Sequence, residues 1–174
     1  MSNDFDPVKI TAPIVTAGQN CWQVGDVYLS AQPTEAGLTV AHNLGIKSVI
    51  CLRDALETAF QQYLPFDLQE DRTLTTTLRM SFVNIPFPHS PTNPNFNIPQ
   101  DQFNIRAGAV LAILNRLPRP LLMHCSSGDR ASALWAVHLI VNCGLTTAQA
   151  ITYATISGLA VFTPYVKKYT PPPH

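Results

Sequence analysis

The sequence predicts a single α/β domain, a mainly parallel central sheet flanked by helices on both faces. Three observations point there. β-like and helix-like runs alternate along the chain, the order that builds parallel sheets. The run IKSVICL at 46–52 is continuously apolar rather than alternating, as in a strand covered on both faces. The chain has 174 residues, 46% hydrophobic and 13% charged, enough for one core, and it shows no internal repeat or linker.

Residues 1–20 read as an N-terminal extension, 21–163 as the domain and 164–174 as a C-terminal tail. DVYLSAQ (26–32) is the first predicted strand. A helix follows at 34–45, with Thr34 placed to cap its first turn and Gly45 to stop it. After the strand at 46–52, residues 54–79 are expected to be mainly helical, interrupted at Pro65. MSFVNIP (80–86) is the next strand. Residues 87–100 hold four prolines and no regular period, so a long loop, functional or mobile, is expected. The helix at 101–117 carries Phe103, Ala107, Val110, Leu114 and Leu117 on one stripe. PLLMHC (120–125) is a strand and 131–143 an apolar helix. A last helix at 146–158 is opened by the capping-box pair Thr146 and Gln149 and ended at Gly158. The terminal TPPPH is expected to be disordered.

Composition narrows the function. Lys plus Arg and Asp plus Glu both number 11, so no broad basic face for nucleic acid is expected. No apolar run reaches the ~18 residues of a membrane span, and MSNDFDPVKI lacks the basic-then-apolar pattern of a signal peptide. The expected location is therefore cytoplasmic. Cys21, Cys51, Cys125 and Cys143 are scattered without metal-binding spacing, so neither a metal, another cofactor nor a disulfide is expected.

The chemistry concentrates in LLMHCSSGDRASALW (121–135), where a strand meets a helix around one cysteine. Ligands of open α/β sheets sit at the carboxyl ends of strands. Amides of such a turn and the helix N-terminus make an anion site without a lysine. Gly128 permits a backbone angle that a side chain would penalise. Arg130 offers a two-pronged donor that can close the ring. The same positive field favours a Cys125 thiolate, a nucleophile for phosphoryl or sulfur transfer. The hydroxyls of Ser126, Ser127 and Ser132 are placed to orient it. The plainer alternative is a small buried thiol at an ordinary turn, which is the reading kept for Cys51 and Cys143.

HCSSGDRAS (124–132) resembles the signature of the cysteine-dependent phosphatases, the protein-tyrosine and dual-specificity group, written His-Cys-x-x-Gly-x-x-Arg-Ser/Thr. It departs from it by one residue: only Ser126, Ser127, Gly128 and Asp129 separate Cys125 from Arg130, and Ala131 stands where the arginine is expected. Rhodaneses, which are sulfurtransferases, also use four intervening residues. The flanks lean toward the phosphatases. Residues 24–53 and 144–159 are similar to the opening and last helix of the bacterial beta-lactamase hydrolase-like phosphatase-like domains, whose loop is often short. The resemblance implies a phosphate-monoester hydrolase working without metal through a cysteinyl-phosphate on Cys125. It implies phosphate binding by Arg130 and the loop from Ser126 to Ser132, Asp129 and Ala131 included. It also implies that Gln32 and Arg53 face the same crevice, that His124 orients the loop, and that the partner is a phosphorylated substrate. A Cys125 persulfide sulfurtransferase and a non-catalytic phosphate-binding module remain open.

Such phosphatases use a general acid, typically an Asp on a loop before the cysteine. Residues 87–100 contain none. The candidates are Asp101 after the loop, His89 within it, Asp129 inside the cradle, or no dedicated acid. His138, on an apolar helix, reads as structural.

Overall fold

The computed structural model describes residues 4–57 and 67–173; Pro65, and the break expected there, lies outside the described residues. The sheet runs β1 (Val8–Lys9), β2 (Cys21–Val24), β3 (Val27–Ser30), β6 (Leu121–His124), β4 (Ser48–Cys51), β5 (Ser81–Asn84) in spatial order. β3, β6, β4 and β5 are parallel, whereas β1 and β2 add antiparallel at one edge. The helices are α1 (Glu35–Asn43), α2 (Leu68–Thr77), α3 (Gln100–Leu114), α4 (Asp129–Cys143), α5 (Thr147–Ile156) and α6 (Thr163–Lys167).

Register places the site. His124 lies opposite both Ser30 of β3 and Cys51 of β4, and Cys51 opposite Asn84 of β5. The carboxyl ends of four parallel strands therefore finish level, and Cys125 emerges from the middle of that edge.

The two faces of the sheet are both apolar, which is why its central strands read as unbroken hydrophobic runs. Leu29, Ile50, Leu121 and Met123 pack with α3, α4, α5 and α6 through Phe103, Leu134, Ala154 and Phe162. Tyr28, Val49 and Leu122 face the other way, against Leu38 of α1 and Leu74 of α2. The expected stripe of α3 is buried at Phe103, Ala107, Val110 and Leu114; Leu117 lies past the helix end and packs partly buried.

The caps follow the local sequence. Thr34 accepts from Gly37 N at the start of α1, and Thr146 with Gln149 forms the full capping box of α5. α4 begins two residues earlier than expected because Gly128, at φ 99, turns the chain directly into the helix. Residues 87–99 contain only a 3-10 turn, Pro94–Phe96, and Gln100 already begins α3. They are nonetheless pinned at both ends by buried Phe87 and Ile98, and Ser90 Oγ accepts from Thr92 N and Asn93 N.

Short elements were illegible in sequence. β1 and α6 are two and five residues long, too short for a period. The segment read as an extension supplies β1 and the fully buried Ile14. The tail expected to be disordered lies along α3, with Thr170 Oγ1 accepting from Asn104 Nδ2 and Pro172 beside Gly108.

Gly37 carries a testable constraint. A Cβ there would stand 1.7 Å from the Ile14 carbonyl oxygen, so α1 can approach the N-terminal segment only without a side chain. Gly37→Ala is expected to destabilise the fold by about 1–3 kcal/mol, read as a thermal-midpoint drop of roughly 2–4 °C per kcal/mol.

Candidate active site

The loop after β6 is built as the sequence anticipates. Cys125 follows β6 fully buried, Gly128 makes the left-handed turn, and Asp129 opens α4. Gly128 N donates to Cys125 Sγ at 3.1 Å. The amides of Ser126, Ser127, Asp129, Arg130 and Ala131 have no acceptor among the described residues; those of Asp129, Arg130 and Ala131 are the open donors of a helix start. Neighbouring elements hold the ring. Gln32 N donates to Ser126 O at 3.1 Å, and Asn20 Nδ2 to Ser127 O at 3.0 Å. Gly128 is so closely covered that a Cβ would meet Asn20 Cβ at 3.0 Å.

Arg130 is 3% exposed and its fork faces inward. Nη1 and Nη2 grip the two oxygens of Glu57, Nη2 at 2.9 Å. Nη1 also donates to Phe87 O at 2.9 Å, and Nη2 to Ser126 Oγ at 2.9 Å. Burial alone would lower the arginine's pKa, but the hydrogen bonds and charge of Glu57 and the Cys125 sulfur outweigh it and hold it above its ordinary value. The expected open fork is thus corrected: both terminal nitrogens already have protein acceptors. Ser126 Oγ is the contact an oxyanion can replace most cheaply, since a hydroxyl can turn away while a buried carboxylate or carbonyl would be stranded.

Gln32 and Arg53, expected to face the crevice, follow the ends of β3 and β4, but their side chains are engaged with each other. Both are buried. Arg53 Nη1 donates to Gln32 Oε1 at 2.5 Å, tying the ends of β3 and β4, and its Nε lies 3.9 Å from Glu57. Glu57 had no place in the sequence reading. Its one signal is the four-residue spacing from Arg53, and nothing local shows that Arg130 will fold onto it.

Two cradle side chains turn away. Asp129 accepts from Ala160 N at 2.7 Å and Phe162 N at 3.2 Å, so it anchors the turn before α6: its candidacy as acid is corrected, and its carboxylate points away from the loop. The Ser157 hydroxyl donates to Ala154 O. The hydrogen of the 2.8 Å Ser132–Ser157 contact therefore comes from Ser132, which leaves none for the thiolate. The Ala131 side chain sits in the apolar core, so only its amide serves the ring.

His124 lies under the loop, fully buried. Its Nδ1 is 3.1 Å from Cys125 O; a carbonyl only accepts, so Nδ1 carries the proton. Its Nε2 faces Asp71 of α2 at 3.1 Å. Burial works against a charged ring, but Cys51 and Asp71 together raise its pKa well above the ordinary value. Of the acid candidates, Asp101 is exposed and accepts from Gln102 N at 2.9 Å. His89 stacks edge-on against Phe162 at 5.2 Å; burial, then the Arg130 charge, lowers its pKa. His138 lies flat on Trp135 at 4.7 Å, the structural role expected. Cys21, Cys51 and Cys125 are free and buried, and Cys143 is free and exposed. Burial pushes the Cys21 thiol up to about 11. No described helix is long and apolar enough to cross a membrane.

No protein-family model matches the sequence, and no curated protein matches it. Solved structures do. TpbA from P. aeruginosa, in complex with pTyr, is 17% identical with a TM-score of 0.64, over 97% of this chain and 90% of its own. Tk-PTP in its active form is 20% identical, TM-score 0.58, over 83% and 88%. The core catalytic domain of the PP-IP phosphatase SIW14 from S. cerevisiae, in complex with citrate, is 19% identical, TM-score 0.56, over 90% and 88%. The chain has the fold of these phosphatases, as its loop signature anticipates.

Two expectations follow. Glu57→Ala leaves the buried Arg130 guanidinium without its carboxylate and should lower stability by about 3–5 kcal/mol in urea unfolding. His89 should titrate below its ordinary value of about 6.5 in an NMR pH series. Because its folded pKa is depressed, its effect on stability is absent above the unfolded pKa and becomes a loss as pH falls through that range.

Proposed function

We propose that the protein hydrolyses phosphate monoesters through a cysteinyl-phosphate on Cys125. The observation that carries this reading is five amides of the 126–131 loop without acceptors among the described residues, next to a sulfur that already accepts from Gly128 N. Amides aimed at one point stabilise the charge that develops on a transferring phosphoryl group. The thiolate attacks phosphorus, the P–O ester bond breaks, and the leaving oxygen takes a proton. Water then cleaves the S–P bond, releasing phosphate and regenerating the thiolate. Cys125 has no solvent exposure, so substrate reaches it only after the groups above the loop shift. The fold likeness to a protein solved with pTyr, a phosphate monoester, supports this choice.

Asp101 is the acid this reading retains. It is an exposed carboxyl just beyond the 87–100 segment, whereas Asp129 is engaged elsewhere and the depressed pKa of His89 leaves it mostly neutral near pH 7. The four-residue spacing from Cys125 to Arg130 favours the second reading, sulfur transfer through a Cys125 persulfide, because a tighter ring suits a smaller group.

One assay set decides. With an aryl phosphate, rapid acid quench should trap phosphocysteine on Cys125, Cys125→Ser should be inactive, and Arg130→Lys should lose most activity. Asp101→Asn should lose about 10²–10⁴-fold on alkyl phosphates and much less on the aryl ester, whose leaving oxygen needs no proton. Persulfide on Cys125 from thiosulfate, with thiocyanate formed from cyanide and no phosphate release, would replace this reading by the second.

A further inference from the structure

Behind the phosphate-binding loop, the ends of β4 and β6 and the middle of α2 bring Cys51, Asp71 and His124 together. All three are fully buried. One ligand atom from each, Cys51 Sγ, an Asp71 oxygen and a His124 ring nitrogen, lies within 4.8 Å of the others. Cross-strand register puts Cys51 directly beside His124, and α2 covers this face of the sheet through Leu74.

The cluster is held by one ion pair and by no hydrogen bond of good geometry. His124 Nε2 and Asp71 Oδ2 are 3.1 Å apart, yet neither Asp71 oxygen nor Nε2 has a partner of hydrogen-bonding geometry. The N–H direction misses the carboxylate. The hydroxyl of Thr75, one turn along α2, is also buried without a partner. A buried carboxylate whose one partner stands off hydrogen-bonding geometry is incompletely compensated. The other side of the imidazole is already committed: Nδ1–H donates to the Cys125 carbonyl. Metal-bound histidines make this arrangement, one nitrogen fixed by a backbone carbonyl and the other presenting its lone pair to a cation.

We propose that Cys51, Asp71 and His124 form a buried binding site for a zinc-class divalent ion. Thiolate, imidazole and carboxylate are the donor types such ions take. One thiolate and one carboxylate neutralise a divalent cation, so the filled pocket carries no net charge into the interior. Three protein ligands leave the fourth tetrahedral position to water. The ion pins α2 to β4 and β6. It also fixes the His124 ring, and with it the Cys125 carbonyl at the base of the loop. This departs from the sequence expectation of no metal, because the three ligands sit far apart in the chain and form no spacing motif. The proposal does not depend on the phosphatase reading, and its test uses no catalytic assay.

The full chain is refolded with zinc, freed of excess, and assayed by elemental mass spectrometry; about one zinc per chain is expected. Replacement by cobalt should give a thiolate-to-cobalt absorption band. That band should persist in Cys125→Ser and vanish in Cys51→Ser. Asp71→Asn should weaken zinc retention by more than the roughly 10–100-fold that changes behind a metal ligand cost. If Cys51→Ser does not fold, zinc-edge X-ray absorption of the wild type must show one sulfur with nitrogen or oxygen neighbours. Folded wild type that retains no metal overturns the proposal. So does a cobalt band unchanged by Cys51→Ser, or a zinc shell without a single sulfur.

Discussion

One carboxylate holds two guanidinium groups out of water. Glu57 grips the Arg130 fork and stands beside Arg53, and all three side chains are buried or nearly so. Desolvating these charges separately would cost several kcal/mol each; together they form a network whose members lock one another. Arg53 in turn holds Gln32, and the Gln32 amide holds the loop after β6 at Ser126. The position of the loop over the sheet thus traces back to Glu57.

The network has a functional cost built into it. An arginine whose two terminal nitrogens are both held by protein acceptors is fixed in one orientation and has fewer donors left to offer. The amide ring therefore supplies most of the free donors, and the Ser126 hydroxyl is the exchangeable partner of Arg130. Asp129 is likewise committed elsewhere. Its carboxylate is drawn away by the amides of Ala160 and Phe162, while its own N–H, at the start of α4, stays with the ring.

The loop is framed from both sides of the sheet. On one side α3 to α6 close over the strand ends through Phe87, Phe103 and Phe162, whose rings pack within 5.5 and 6.2 Å of each other. On the other, His124 ties the cysteine carbonyl to the Cys51–Asp71 pocket. The cysteine is thereby fixed through its backbone, its sulfur and the helix that follows it.

Local sequence determined the alternation of elements, the caps at Thr34 and Thr146, the stripe of α3 and the Cys-Gly-Arg turn, because each depends on residues within one or two turns of one another. It also made the parallel sheet legible, since strands covered on both faces must be apolar throughout. It could not reveal which side chains the cradle would use. Ser132 and Asp129 have suitable chemistry and suitable positions, and only Ser157 and the 160–162 backbone, brought close by α5 and α6, take them elsewhere. Glu57 and Asp71 were invisible for the same reason: their partners, Arg130 and His124, are distant in the chain and meet them only through the strand order β3-β6-β4. Buried charges must be paired across space rather than along sequence, so the tertiary structure alone decided them.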